Sequence, residues 1–427
     1  MSLKEFLDVL ASNKLLEDVG KASVNYQIAG LEQSTDNAII MSAAETGTRV
    51  VSNLVNNRKK VSLAFGCATD DVNSKFISAV DKPMHYSPKK FHGYKTVNSL
   101  SEIPVVKHFE KDLGPYITSS IVIAKNPLDK MLNASVHRIR VIGDRTGVIR
   151  MVEGRHLHSF YTASKQSSSD LPVAVAIGVH PAVEFSAAYQ APYGAFELEI
   201  ANSILGGNLD IMESPKYGLP VPDAEYIMEG KISIRDSEMD MMTEMLGNYD
   251  FTRKQPVLHV EQIYSKENPV FWDILPGGAE HKWLMGFPVE SKMNKTLKDT
   301  VPSTKRVVLT EGGSKWLHAV VQISKKLEGE PVNAIIAAFA AHPSLKMVTV
   351  VDDDIDPENP EDVEFAVATR FQASRGLMVI HNAKGSSLDP SSDQSRLLTD
   401  KVGIDATIPL DSNREKYERA KIPGVKK

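Results

Sequence analysis

Residues 116 to 301 break into short β-branched runs, ITSSIVIA, VHRIRVIG, GVIRMVEG, PVAVAIGV, GKISIRD and PVLHVEQIY, with turn residues between them. Runs of this length and spacing predict a β-barrel or sandwich with a few helices laid over it, one of them over 195–205. After residue 302 the texture changes to VVLT, a helix over 315–328, a helix over 333–341, the strand KMVTVV, a helix over 362–373 and the strand LMVIHN. That alternation indicates βα units and a largely parallel sheet. The tail over 399–427 reads as an extension onto another surface.

Ahead of the strand-rich region, Leu3, Phe6, Leu7, Leu10, Leu15 and Leu16 lie near helical spacing and predict an amphipathic helix over 3–18. Apolar runs at 38–41, 49–54 and 61–65 complete a small α/β segment, and the polar stretch over 86–103 reads as a surface connection. The expected domains are therefore 1–115, 116–301 and 302–427.

A net charge of −5 and a pI near 6.2 lack the basic footprint of a nucleic-acid binder, so nucleic acid is excluded as a partner. The single cysteine, Cys67, cannot form an intramolecular disulfide, and no CxxC pair is present for zinc. The first twenty residues are charged throughout, and no run of about 18 apolar residues occurs, so a soluble, cytoplasmic protein with no membrane partner is expected.

The chemistry concentrates in NASVHRIRVIGDRTGVIRMVEGRH, residues 133–156, which sets an amide, a hydroxyl, five arginines and two histidines among otherwise strand-like residues. Walker and GxGxxG sequences are absent, and Gly206-Gly207 and Gly312-Gly313 read as turns. A bound phosphate would therefore depend on side chains and a metal. Asn133, His156 and Glu197 make an N/O ligand set suited to manganese or magnesium. Each alone has an ordinary reading: a turn residue, a strand-end histidine and an early helix acid.

Asp352-Asp353-Asp354 with Asp356 lacks the glycine and glutamate of a calcium loop and reads as a solvated strand end. Glu238, Asp240 and Glu244 follow the KISI run in a Met-rich setting. Desolvation there would raise a carboxyl pKa enough for acid/base work near neutrality. The competing reading is an exposed acidic loop.

Taken together, PVVKHFEKDLGPYITSSIVIAKNP, NASVHRIRVIG, PVAVAIGVHPA, AEYIMEGKISI, VTVVDDDIDP, VEFAVATRFQ, HNAKGSSLDPSS and DKVGIDATIPL resemble, in order and spacing, the UbiD family of decarboxylases. The resemblance implies prenylated FMN as cofactor, held through Mn2+ (or Mg2+) beside K+. It assigns Asn133, His156 and Glu197 to the metal, Ser135 and Lys401 to the flavin phosphate, Arg155 to the cofactor, and backbone carbonyls near 186–189 to potassium. The family's glutamate–arginine–glutamate trio falls on Asp240, Arg138 and Glu244, although the family's EGPFGE segment is replaced here and Glu238 is an alternative first acid. In the family the flavin acts as the electron sink and a glutamic acid protonates carbon after carbon dioxide leaves.

The fold implied is an N-terminal α/β segment, a central split β-barrel flavin-binding domain and a C-terminal α/β domain, in a homo-oligomer, dimer or hexamer. A flavin prenyltransferase would supply the cofactor. The substrate implied is an α,β-unsaturated carboxylic acid, with a phosphorylated aliphatic acid of the modified mevalonate pathway preferred to an aromatic acid. Arg140, Arg145, Arg150, Arg155 and His158 could clamp a phosphate, against the ordinary reading of solvated strand faces. A non-catalytic partner subunit of a carboxylase is the competing function.

Overall fold

A computed structural model describes residues 1–420, which form two compact units, one from Met1 to Pro288 and one from Val289 onward. In the first, the helix Leu3–Ser12 begins at a capping box in which Ser2 and Glu5 each accept the other's backbone N–H. It buries Leu3, Phe6, Leu7 and Leu10. The helix expected to reach residue 18 stops earlier because Lys14 takes a positive φ of 57°. Leu16–Ala22 is instead a strand, parallel to Ala38–Ala43.

The order of this four-stranded sheet is Leu16–Ala22, Ala38–Ala43, Arg49–Ser52 and Val270–Trp272. Its last strand comes from the strand-rich region. Residues 1–115 and that region therefore share one compact unit, where the sequence reading set them apart. The apolar run at 61–65 belongs to the helix Arg58–Phe65, whose N-cap Asn57 accepts the Lys60 N–H.

A nine-stranded antiparallel sheet forms the body of the unit. It runs in the order Tyr116–Ile117, Ile139–Gly143, Thr146–Ile149, Arg253–Ser265, Ala224–Asp240, Leu171–Val179, Ser120–Lys125, Leu132–Val136, with Lys95–Val97 also on Arg253–Ser265. The expected strands are present, but the sheet stays open: its two end strands do not pair. Alternate residues of its central strands feed different cores. Ile121, Ile123, Ala174 and Ala176 pack with the N-terminal helices, while Val122, Ala124, Val173 and Val175 pack on the other side. Burial on both faces explains why these runs read as nearly continuous apolar stretches. The helices His156–Gln166, Pro181–Ala188 and Glu197–Ile204 belong to the same unit, the last matching the helix expected over 195–205.

The second unit carries a five-stranded sheet in the order Thr304–Leu309, His318–Ile323, Met347–Asp352, Leu398–Ala406, Leu377–Lys384. It is mixed: the two inner pairs are parallel and both edge pairs antiparallel. The helix expected over 315–328 is the strand His318–Ile323. Positive φ angles at Ser314 and Lys315 turn the chain into it, and Ala319, Val321 and Ile323 are fully buried. The expected tail is likewise not a surface extension over 398–406, where TDKVGIDA forms an inner strand. Residues 421–427 of that tail lie outside the described residues. Asp352 and Asp354 of the acidic run flank Arg370, which pairs with both oxygens of Asp354 and lies 3.0 Å from Asp352. Among the described residues, no helix is long and apolar enough to cross a membrane.

Candidate active site

Arg138 stands between the strands Leu132–Val136 and Ile139–Gly143, where the chain leaves one strand pair and enters another. Its guanidinium meets three carboxylates: Nη1 lies 3.1 Å from Glu244, Nη2 3.4 Å from Asp250, and Nε 3.9 Å from Asp240. Burial opposes the charge of Arg138, but these acids outweigh it and raise its pKa further. Asp240 is 2% exposed and accepts the Tyr116 hydroxyl at 2.8 Å and Arg140 Nε at 3.0 Å. Its position follows from register, since it ends the strand Ala224–Asp240 opposite Arg253. Glu238 lies on the same strand with its side chain exposed, so the geometry favours Asp240 as the acid beside Arg138. The 238–240 segment is thus strand, not the acidic loop considered from sequence.

Glu244 sits after this strand in a turn closed by hydrogen bonds between Glu244 N–H and Asn248 O and between Gly247 N–H and Glu244 O. Burial raises its carboxyl pKa above the ordinary value, and Asp250 adds to the shift while Arg138 opposes it. The segment containing Gly277 packs against this turn. A Cβ at Gly277 would lie 2.9 Å from Gly247 Cα, and its φ of 75° also favours glycine.

The second group of site residues lies along the strand Leu132–Val136. Its alternation turns Asn133 and Ser135 to one face and buries Ala134 on the other. Glu197, the first residue of its helix, accepts the Asn133 side-chain amide at 3.0 Å and the Ala134 N–H at 2.9 Å. Burial raises the Glu197 carboxyl to about 7, which marks it as an anion placed where a cation would be welcome. The Ser135 hydroxyl lies 3.0 Å from Asn133 Oδ1 and 2.9 Å from His137 Nε2.

His137 resolves that choice. Its Nδ1 lies 2.8 Å from the Arg150 carbonyl, which can only accept, so Nδ1 carries the proton and Nε2 is an acceptor. The Ser135 proton thus has a destination on His137, which leaves Asn133 Oδ1 free for a metal. Burial lowers the His137 pKa to about 4 and keeps the ring neutral. Asn133 and Glu197 therefore offer an amide oxygen and a carboxylate of the kind that a hard divalent ion takes.

The structure brings Asn133, Ser135 and Glu197 into one hydrogen-bonded group, and Arg138, Asp240 and Glu244 into another. His156 opens the helix His156–Gln166, half-buried, with its ring edge-on to Tyr193 at 5.5 Å. Among the described residues it shares no hydrogen bond with Asn133 or Glu197. Arg155 donates to the Gln190 side chain. Lys401 belongs to the second unit, where its ammonium donates to the carbonyls of Pro343 and Leu345 at 2.6 and 2.5 Å. Of the proposed clamp, Arg140 binds Asp240, Arg150 lies 3.9 Å from Asp250, and Arg145 donates to the Glu261 carbonyl.

Sequence reasoning missed Tyr116, His137, Asp250 and His281. Asp250 lies in a turn, GNYDFTRK, and only the pairing of Asp240 with Arg253 reveals that it faces Arg138. His281 accepts the Gly277 N–H at Nδ1, and burial, with Arg138 adding, lowers its pKa to about 4.

Two family models match the chain: the Rift-related domain of 3-octaprenyl-4-hydroxybenzoate carboxy-lyase (UbiD) over residues 85–279 and its C-terminal domain over residues 282–406. The chain belongs to the UbiD family. It is a UbiD-family decarboxylase, a carboxy-lyase. The anhydromevalonate phosphate decarboxylase of Methanocaldococcus jannaschii is 43% identical over 95% of this chain and 97% of its own length. That of Aeropyrum pernix is 38% identical over 100% and 97%. Among solved structures, the UbiD-class enzyme HmfF from Pelotomaculum thermopropionicum in complex with FMN matches with a TM-score of 0.96 at 35% identity, covering 100% of this chain and 98% of that one. An evolved dimeric form of HmfF in complex with prFMN matches at 0.91 and 33%, covering 99% and 97%.

Proposed function

We infer that this chain is a prenylated-FMN-dependent decarboxylase of an α,β-unsaturated acid, and that its substrate is trans-anhydromevalonate 5-phosphate in isoprenoid biosynthesis. The observation that carries the reading is Arg138 gripped by Asp240, Glu244 and Asp250, in a chain similar along nearly its whole length to anhydromevalonate phosphate decarboxylases. When bound, the prenylated flavin supplies an electron sink for the pair left on carbon as carbon dioxide departs. Glu244, its carboxyl pKa raised by burial, donates the proton to that carbon. Arg138 orients the substrate carboxylate with its planar fork, and Asp240, with Tyr116 and Arg140, holds Arg138 in place.

A phosphorylated acid suits the unpartnered donors of this site. Arg138, Arg140, Arg150 and Arg253 gather around Asp240, Glu244 and Asp250, and the buried Asp112 also feels the Arg138 charge. Arg138 Nε and Arg150 Nε are also buried donors without a hydrogen-bond partner. Buried donors are rarely left unpaired, so these two fit an incoming anion.

Asn133, His156 and Glu197 are proposed to hold Mn2+ (or Mg2+), with K+ beside backbone carbonyls near 186–189. Ser135, Arg155 and Lys401 are assigned to the cofactor on family resemblance. The open nine-stranded sheet would serve as the split-barrel flavin-binding domain of 116–301, between the 1–115 and 302–427 segments. A flavin prenyltransferase would supply the cofactor, and the enzyme would work in the cytoplasm as a homo-oligomer, dimer or hexamer.

The test is coexpression with a flavin prenyltransferase followed by metal analysis and absorption spectroscopy. Unaltered protein should carry flavin and manganese, and Asn133→Ala and Glu197→Ala should lose both. Full flavin and manganese in either variant would contradict the metal assignment.

A further inference from the structure

Away from the residues just described, Glu32, His108 and Asp273 offer two carboxylates and an imidazole whose donor atoms all lie within 4.8 Å of one another, each residue buried. They come from three parts of the first unit: the helix Gln27–Ser34, the loop before Tyr116, and the residue directly after the strand Val270–Trp272. His108 Nε2 is 2.8 Å from Asp273 Oδ2, and the other Asp273 oxygen accepts the Thr118 hydroxyl at 3.2 Å. Glu32 is 3% exposed, yet neither of its carboxylate oxygens makes a well-formed hydrogen bond, although Ser52 and Asp273 lie beside it. His108 Nδ1 and the Ser52 hydroxyl are also buried and unpartnered.

A carboxylate buried in this way needs a counter-charge. The neighbouring charges do not supply one. Burial, with Asp273 and Glu280 adding, pushes the Glu32 carboxyl well above its ordinary range. The nearby Lys60 ammonium donates to the carbonyls of Asp36 and Asn53 and to Asn56 Oδ1, and its charge lowers the pKa of Glu280. A proton shared between Glu32 and Asp273, with the Ser52 hydroxyl beside Glu32, would still leave His108 Nδ1 without a partner. A divalent ion with ligand bonds of about 2.0–2.2 Å needs donors roughly 3–4 Å apart, a range bracketed by the 2.8 Å pair and the 4.8 Å limit of this group.

We propose that Glu32, His108 and Asp273 bind a divalent transition-metal ion of the manganese or zinc class, at a site separate from Asn133 and Glu197. The ion is structural, and its place in the fold gives it reach. Ile274, next to Asp273, donates its N–H to Thr118 Oγ1 at 3.0 Å. The segment then runs to Gly277, packed on the turn that carries Glu244. The metal would fix that segment behind the proton donor.

The test is anomalous diffraction at the manganese and zinc edges from crystals of the unaltered chain equilibrated with Mn2+ or with Zn2+. The expected result is a peak between Glu32, His108 and Asp273, whatever is found at Asn133 and Glu197. No peak there overturns the proposal. Metal analysis adds a second reading, because Glu32→Gln should reduce bound manganese by about one ion per chain. If Glu32→Gln retains the full metal content, or melts at a higher temperature with metal content unchanged, the group holds a proton and the proposal fails. Should the variant not fold, the diffraction experiment decides alone.

Discussion

Glu244→Gln removes the acidic proton while keeping the side chain's shape. Gln Oε1 can still accept Arg138 Nη1 across the 3.1 Å contact, and the guanidinium keeps Asp250 at 3.4 Å and Asp240 at 3.9 Å. The variant should therefore fold and load flavin, at a stability cost of about 1–2 kcal/mol for one weakened charged hydrogen bond. Turnover should suffer far more. Loss of a positioned general acid costs roughly 10²- to 10⁴-fold, or about 3–5 kcal/mol on the barrier. Because the proton moves only in the transition state, the loss should appear in kcat with KM little changed.

The assay is kcat and KM on fully loaded enzyme, beside a thermal melt. Retention of kcat within about tenfold of the unaltered enzyme would refute the role of Glu244. The pH dependence follows the same logic. Burial raises the Glu244 pKa, and the residue donates only when protonated, so kcat should hold at low pH and fall as pH rises through that raised value.

Asp250→Asn removes a charge that raises Glu244, so the alkaline limb of kcat should move to lower pH; an unmoved limb would remove Asp250 from the proton donor's surroundings. Glu238→Gln should change stability by no more than about 0.5 kcal/mol and leave activity intact, whereas Asp240→Asn should cut kcat, and the reverse pattern would make Glu238 the first acid. His137→Phe should lower metal affinity about 10- to 100-fold, read by manganese retention on dialysis, because Ser135 then donates back to Asn133 Oδ1. In the second unit, Arg370→Ala should cost up to about 3 kcal/mol by chemical denaturation, since it takes the buried guanidinium from Asp352, 1% exposed, and leaves only the more exposed Arg414 at 3.5 Å.

Much of the fold was legible because periodicity reports burial. The central strands of the nine-stranded sheet are buried on both faces and read as continuous apolar runs. Where the reading failed, local signals opposed tertiary ones. The stretch over 315–328 has no strong breaker inside it, and only the turn at Ser314 and Lys315 commits it to a strand. Leu398–Ala406 alternates too many polar residues to look like an inner strand, yet parallel pairing with Met347–Asp352 makes it one.

The site divides in the same way. Asn133, Ser135, Arg138, Glu197, Asp240 and Glu244 could be reached from ordered segments, and the structure gathers them into two groups. Asp250, Tyr116 and His281 could not, because each acts through a contact made between distant segments. Tyr116 meets Asp240 across 124 positions of chain. The buried group of Glu32, His108 and Asp273 left no trace at all in sequence spacing.

The central claim is best tested by incubating the protein, loaded with prenylated flavin, with trans-anhydromevalonate 5-phosphate and, in parallel, with an aromatic acid of the 4-hydroxybenzoate type, while carbon dioxide is measured. One carbon dioxide is expected for each phosphorylated acid consumed, none from the aromatic acid, and none from either with Arg138→Ala. Release from the aromatic acid alone, or from neither acid by fully loaded enzyme, would contradict that claim.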